Sequence, residues 1–288
     1  MNVSFEKVPG PIVRPLAPAF GAEVRGVDLR ALDETGFEAI QAALNRYSVI
    51  VLPDQELSPP DQINFTKRLG PLHPKFFNPQ TSVPGFVELS VLSNMKVDGR
   101  PIGDADAGRF WHSDMAFKKI PDIYSLLYAL EVPVRDGEVL GDTLFASTAA
   151  AYDGLPAAMK KRISGLTAIH SIMTTFGKRK QVSEEKRQEL PDVEHPVVRT
   201  HPITGRKCIY VSEGHTASIV GMPEDESREL LKLLHEHTIQ PQYMYRHKWR
   251  VGDLLIWDNC ATLHRAEHDY GDIPRRMHRG GVLGSVPV

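Results

Sequence analysis

Apolar residues recur along this chain with two periods, and the switches between them lay out its elements. Phe37, Ile40, Leu44 and Tyr47 fall at helical spacing behind Asp33, a residue suited to capping the first turn, which predicts an amphipathic helix. Val49–Leu52 is a short apolar run of strand type ended by Pro53. Ser58-Pro59-Pro60-Asp61 reads as a second helix start, and Gly70-Pro71 as its stop. Val27-Asp28-Leu29 reads as a strand end, residues 84–93 as a strand, and Asp98-Gly99 as a hairpin turn. Residues 102–108 read as a mobile loop between that hairpin and further strands at 109–114 and 123–130, the second apolar enough to be central. Helices are expected at 147–162 and 223–238, the latter with Leu230, Leu231, Leu233 and Leu234 on its apolar face. Strands follow at 206–211, 243–249, 253–257 and 275–283.

Many short strands, a few helices and long irregular connections do not match the regular alternation of a doubly wound fold. They fit a mainly β double-sheet barrel with flanking helices, built as one domain over residues 1–288. The polar stretch 171–196 reads either as a lid over a site or as a solvated excursion.

Composition narrows the function classes. A hydrophobic share of 41% and a charged share of 24% suit a globular chain and exclude a disordered one. With 34 basic against 36 acidic residues, nothing calls for nucleic acid or an anionic membrane as partner. No run is long and apolar enough to span a bilayer, and the N-terminus lacks the pattern of a secretory signal, so a cytoplasmic location is expected. Cys208 and Cys260 are expected to be free buried thiols. Assembly into a homo-oligomer stays open, since no interface signal is visible.

The candidate chemistry begins at Trp111-His112-Ser113-Asp114. If this stretch is extended, His112 and Asp114 point to one face, so one short segment offers an imidazole and a carboxylate to a single metal. Alone the pair is weak, because a chain with 12 histidines shows such pairs by chance. His264, directly after the apolar run Leu254–Trp257, can supply a third ligand at a barrel mouth, or be a core histidine bonded to backbone. Further on, Arg275, Met277 and Arg279 share one face of an extended segment. Arginines facing inward need an anion, either a protein carboxylate or a bound one.

Taken together and in order, Trp111-His112-Ser113-Asp114, Gly141-Asp142-Thr143-Leu144-Phe145 and the segment from Val251-Gly252-Asp253 to Arg279 resemble the taurine dioxygenase/2,4-dichlorophenoxyacetate dioxygenase family of iron(II)/2-oxoglutarate oxygenases. The resemblance spans nearly the whole chain. It implies a distorted double-stranded β-helix, or jelly roll. It implies that His112, Asp114 and His264 hold Fe(II), and that Arg275 and Thr143 bind the far carboxylate of 2-oxoglutarate. Arg279 would face the anionic group of the primary substrate, with His73, Phe76 and Phe117 around it; for the aromatics, plain core packing is the competing explanation. The chain departs from the pattern at Leu140, where a second glycine is common, at Cys260, where an arginine is common, and near Gly108, where the taurine enzyme has an asparagine.

The activity so implied is O2-dependent hydroxylation of a small organic anion beside a heteroatom or acidic group, coupled to conversion of 2-oxoglutarate to succinate. Collapse of the product would follow. Aryloxyalkanoates and alkyl or aminoalkyl sulfonates are both open as substrates. Two other classes use the same residues: a zinc-dependent hydrolase or lyase on the same three ligands, and a non-catalytic module that binds small anions.

Overall fold

The computed structural model describes residues 10–18, 20–73, 81–176 and 188–288. Its frame is an eight-stranded sheet in the order Ile12–Pro15, Ala22–Arg25, Val49–Leu52, Leu254–Asp258, Asp122–Glu131, Arg276–Leu283, Phe86–Ser93 and Ser82–Val83. Asp122–Glu131 lies centrally, between Leu254–Asp258 and Arg276–Leu283 and antiparallel to both, as its apolar run predicts.

Alternation along these strands separates two cores. Leu126, Tyr128, Leu254 and Ile256 face outward, where Phe37, Ile40 and Leu44 of helix Glu34–Tyr47 cover them. Leu127, Ala129, Leu255, Trp257 and Met277 face the other way, onto Phe145 of a second sheet. That sheet is three-stranded, in the order Met244–His247, Thr143–Ser147, Thr262–Ala266. Because both faces of the large sheet are buried, its central strands are continuously apolar. Two sheets face to face with helices outside give the jelly-roll-like fold.

A third core gathers Ile163, Ala168, Val197, Ile209, Ile219, Leu230 and Leu234 beneath the strands Thr167–His170 and Thr216–Ile219. Among the described residues, no helix is long and apolar enough to cross a membrane.

Several sequence expectations are corrected. Residues 109–114 do not form a strand: His112 makes one isolated bridge to His264, and the chain turns at once, with Met115 in the left-handed region at φ 55°. Side-chain bonds explain this, because the Asp114 N–H and the Ser113 hydroxyl are both taken by Asn259 instead of by a neighbouring strand. Asp28 is no strand end but the cap of a 3-10 turn, Leu29–Ala31, accepting from Arg30 N. The helix expected at 147–162 is two, Thr148–Gly154 and Ala157–Ile163, because Pro156 cannot continue the first.

Leu233 is exposed, and the buried face of helix Glu224–Thr238 uses Ser227, Leu230, Leu234 and Thr238. Residues 102–108 form the expected loop, bonded to its surroundings by Ile102 N to Met95 O, Asp104 N to Val91 O and Ala266 N to Gly108 O. Of the expected lid, residues 177–187 lie outside the described residues. Its C-terminal end is the strand Val193–Pro196, paired with Thr167–His170.

Candidate metal centre

The bridge between His112 and His264 is the structural key. Each donates its backbone N–H to the other's carbonyl, at 3.1 and 2.8 Å, which brings two imidazoles from distant segments side by side. Asp114 completes the set: its Oδ1 lies 3.5 Å from His112 Nε2 and 3.9 Å from His264 Nε2, and all three donor atoms fall within 4.8 Å of one another. Donors held cis at roughly 2.1 Å from a metal stand about 3 Å apart, so these need to draw in by between about half an ångström and just under two to grip an ion. Two imidazoles and one carboxylate on one side leave the opposite positions of an octahedral ion open, the donor set suited to non-heme Fe(II).

The surroundings fix each donor. His112 Nδ1 lies 2.7 Å from the carbonyl of Phe110, which makes that nitrogen the donor and leaves Nε2 with its lone pair toward the site. Burial pulls the His264 imidazole well below its ordinary pKa, and the neighbouring His112 adds to this, so it stays neutral, as a ligand must. Burial pushes the Asp114 carboxyl the other way, but the Arg279 guanidinium beside it opposes this, and the group lies well below the usual carboxylate range.

Asn259 organises the carboxylate. Its Oδ1 accepts from Asp114 N and from Trp257 Nε1, both at 3.1 Å. Its Nδ2 donates to Ser125 Oγ at 2.9 Å, and Ser125 Oγ donates to Asp114 Oδ2 at 2.6 Å. Neither Asn259 nor Ser125 stands out in the sequence; the only hint is the position of Asn259 directly after the strand Leu254–Asp258.

One cleft is lined by the three donors together with Thr143, Leu127, Trp257, Tyr270 and Arg275, and by Asp104, Ala105, Ala107 and Gly108. Arg275 is 6% exposed. Among the described residues no carboxylate pairs with it and its Nε has no hydrogen-bond partner; burial lowers its pKa, with the Tyr270 hydroxyl opposing. Gly141 makes room for it: a Cβ there would stand 3.2 Å from Arg275 Nε and 3.1 Å from the Tyr270 ring, and the φ of +74° favours glycine as well. Thr143 Oγ1 accepts from Trp249 Nε1 at 3.0 Å, so the hydroxyl proton remains available to an anion in the cleft.

The residues expected at the substrate divide between the cleft and its surroundings. Arg279 lines the cleft, and its Nη2 is 2.9 Å from Asp114 Oδ2. His73 is buried outside the cleft lining, with Nδ1 2.7 Å from Asp122 Oδ1. Phe117 is also buried outside it, against the ring of His215 at 4.9 Å, and His215 in turn meets His112 at 5.7 Å. His215 is a further neighbour of the centre that the sequence reading missed. Phe76 lies outside the described residues.

A second buried set, His201, Asp258 and Cys260, also brings ligand-type atoms together. There His201 Nδ1 already accepts from Ile203 N and Thr204 N, so its Nε2 carries the proton and donates to Asp258. That is a satisfied hydrogen-bond unit. Cys208 and Cys260 are free and buried, as expected, and burial raises both thiols, Cys208 to about 12.

Residues 12–280 match the model of the taurine catabolism dioxygenase TauD, TfdA family. The alpha-ketoglutarate-dependent 2,4-dichlorophenoxyacetate dioxygenase of Cupriavidus pinatubonensis is 36% identical, over 96% of this chain and 99% of that protein. The alpha-ketoglutarate-dependent sulfate ester dioxygenase of Pseudomonas putida is 34% identical, over 96% of this chain and 90% of its own length. Among solved structures, AAD-2 in complex with Mn(II) and N-oxalylglycine superposes with a TM-score of 0.84 at 33% identity, covering 97% of this chain and 98% of that one. On the family match and on relatives aligned almost end to end, the chain belongs to the TauD/TfdA family of dioxygenases.

Proposed function

We propose that this protein is an iron(II)- and 2-oxoglutarate-dependent dioxygenase that hydroxylates a small organic anion at a carbon next to a heteroatom or acidic group, releasing succinate and an adduct that collapses. Its relatives are named for 2-oxoglutarate (alpha-ketoglutarate) dependence and for an aryloxyalkanoate or a sulfate ester. The observation that carries the reading is Arg275, a buried cation with no carboxylate partner among the described residues, lining the same cleft as the three-donor centre. A guanidinium so placed calls for a bound anion of complementary shape. A dicarboxylate that also carries a keto group next to one acid offers one carboxylate to Arg275 and a chelating pair to the centre.

His112, Asp114 and His264 would hold Fe(II), which when bound supplies the oxidising chemistry with 2-oxoglutarate and O2. The protein does the rest. Arg275 pairs with the far carboxylate of the cosubstrate, and Thr143 donates its hydroxyl to it. Asn259 and Ser125 hold Asp114 in place. Leu127 and Trp257 keep the cleft wall apolar. Arg279 faces the substrate's acid group across from the centre.

Anaerobic addition of Fe(II) and 2-oxoglutarate is expected to give a visible charge-transfer band. Admitting air with an aryloxyalkanoate, alkyl sulfonate or sulfate ester is expected to release succinate. A zinc-dependent hydrolase on the same donors predicts no band and no need for 2-oxoglutarate, and leaves Arg275 without a task. A non-catalytic module predicts anion binding that survives His112→Ala and no oxygen uptake. Either result overturns the proposal.

A further inference from the structure

Threonine hydroxyls in this fold are used in two opposite ways. Thr66, Thr238 and Thr262 are buried and each spend the hydroxyl proton on the backbone carbonyl four residues back, at 2.7 Å. Thr143 Oγ1 accepts instead, from Trp249 Nε1 at 3.0 Å. An indole N–H can only donate, and a hydroxyl has one proton and two lone pairs, so this bond occupies a lone pair and leaves the proton to be placed. Among the described residues no protein group accepts it. Thr143 lines the cleft together with Arg275, and Gly141, two residues earlier, lies so close to Arg275 that a Cβ would stand 3.2 Å from its Nε.

Trp249 itself is 1% exposed and is not part of the cleft lining. Its ring packs between the two sheets with Leu127, Phe145 and Leu255, edge-on to His247 at 4.6 Å. His247 stands opposite Thr143 in the strand pair. Just beyond, Arg250 N to Asp253 Oδ2 at 2.9 Å and Asp253 N to Arg250 O at 3.1 Å close a turn, and Gly252 N to Ala129 O at 2.9 Å ties that turn to the large sheet. A ring close-packed on all sides and held at its backbone has one orientation, and so has its N–H. Without this donor the Thr143 hydroxyl is free to turn a lone pair into the cleft, where a carboxylate, which only accepts, is repelled.

We propose that Trp249 is a positioning residue for the cosubstrate: by donating to Thr143 it turns the hydroxyl proton toward the far carboxylate, and so favours a 2-oxo diacid over a 2-oxo acid of the same length with an apolar end. This rests on the function given above and narrows it to how the cosubstrate is chosen.

The full-length protein with Fe(II) is titrated without oxygen with 2-oxoglutarate and with 2-oxopentanoate, which has the same chain length and no far carboxylate, and Kd is read from the charge-transfer band. Trp249→Phe is expected to raise Kd for 2-oxoglutarate about fivefold, the size of one hydrogen bond's net contribution, while Kd for 2-oxopentanoate and the affinity for Co(II) stay unchanged. Trp249→benzothienylalanine keeps the bicyclic volume and puts sulfur in place of the N–H, so it separates the lost bond from lost packing; the same rise is expected. In a Thr143→Val background neither change at Trp249 should weaken 2-oxoglutarate further, because both residues act through one hydroxyl. Equal weakening for the two oxo acids, an unchanged Kd for 2-oxoglutarate in the sulfur variant, or full additivity with Thr143→Val overturns the proposal and leaves the dioxygenase reading standing. Wild type that binds no 2-oxoglutarate and gives no band removes the dioxygenase reading and this proposal with it.

Discussion

At the scale of single residues, two side chains separate the cosubstrate's grip from the metal's. Arg275→Leu removes the buried guanidinium, and 2-oxoglutarate affinity is expected to fall by about 1.5–3 kcal/mol, the range for a charged hydrogen bond. Anaerobic titration with 2-oxoglutarate measures this, and unchanged affinity would mean the carboxylate goes elsewhere. Asn259→Ala instead leaves Asp114 N and Trp257 Nε1 without their acceptor and frees Ser125. Metal affinity is expected to drop roughly 10- to 100-fold, read by competition for Fe(II) or Co(II) against a chelator. The sequence showed Arg275 as an inward-facing cation but marked Asn259 only by its place after an apolar strand, because a support residue matters only through what folding sets beside it.

At the scale of elements, local chemistry sets most boundaries. Ser58 and Asp61 form a reciprocal capping box at the start of helix Pro59–Leu69, so Ser58→Ala should cost about 1 kcal/mol in a denaturation midpoint with little effect on turnover. Gly103 works differently. A Cβ there would lie 2.7 Å from Val91 O and 2.8 Å from Ser93 N, both backbone atoms of the strand Phe86–Ser93. Gly103→Ala is therefore expected to lift residues 104–108 away from the sheet. They wall the cleft, so KM for 2-oxoglutarate should rise several-fold while metal affinity holds.

The elements that the sequence misplaced failed for related reasons. Residues 109–114 carry strand-like alternation, but their backbone meets a single bridge to His264, Gly214 N and the side chain of Asn259 instead of a neighbouring strand. Residues 102–108 carry loop composition and form a loop, with backbone bonds to Val91 and Met95 that composition does not announce. The broken helix at Pro156 was open to reading, since a proline inside a helical pattern is a local stop.

At the scale of the whole molecule, buried histidines make the fold sensitive to acid. Burial lowers His170 to about 3 and His278 to about 4, against an ordinary 6.5. Below pH 6.5 the unfolded chain takes up protons at these groups that the folded chain does not. Stability is therefore full above 6.5 and declines as the pH falls toward those values, by at most about 1.4 kcal/mol per pH unit for each histidine. Melting temperatures between pH 7 and 5 should fall accordingly. His170→Phe, which keeps an aromatic ring stacked on Tyr210, should flatten that slope, and a slope left unchanged would show that His170 is not its source.

Sequence alone determined the alternation that buries both faces of the central strands, the caps and stops of the helices Glu34–Tyr47 and Pro59–Leu69, and the identity of the side chains with metal chemistry, because periodicity, capping and donor type are properties of neighbouring residues. Only the tertiary structure decided that His112 and His264 meet across one backbone bridge, that Arg275 has no carboxylate partner among the described residues while Arg279 is shared by two carboxylates, and that His73 turns to Asp122. Those outcomes depend on which distant segments the two sheets bring within hydrogen-bonding range. Burial then turns each such meeting, or its absence, into a large electrostatic difference.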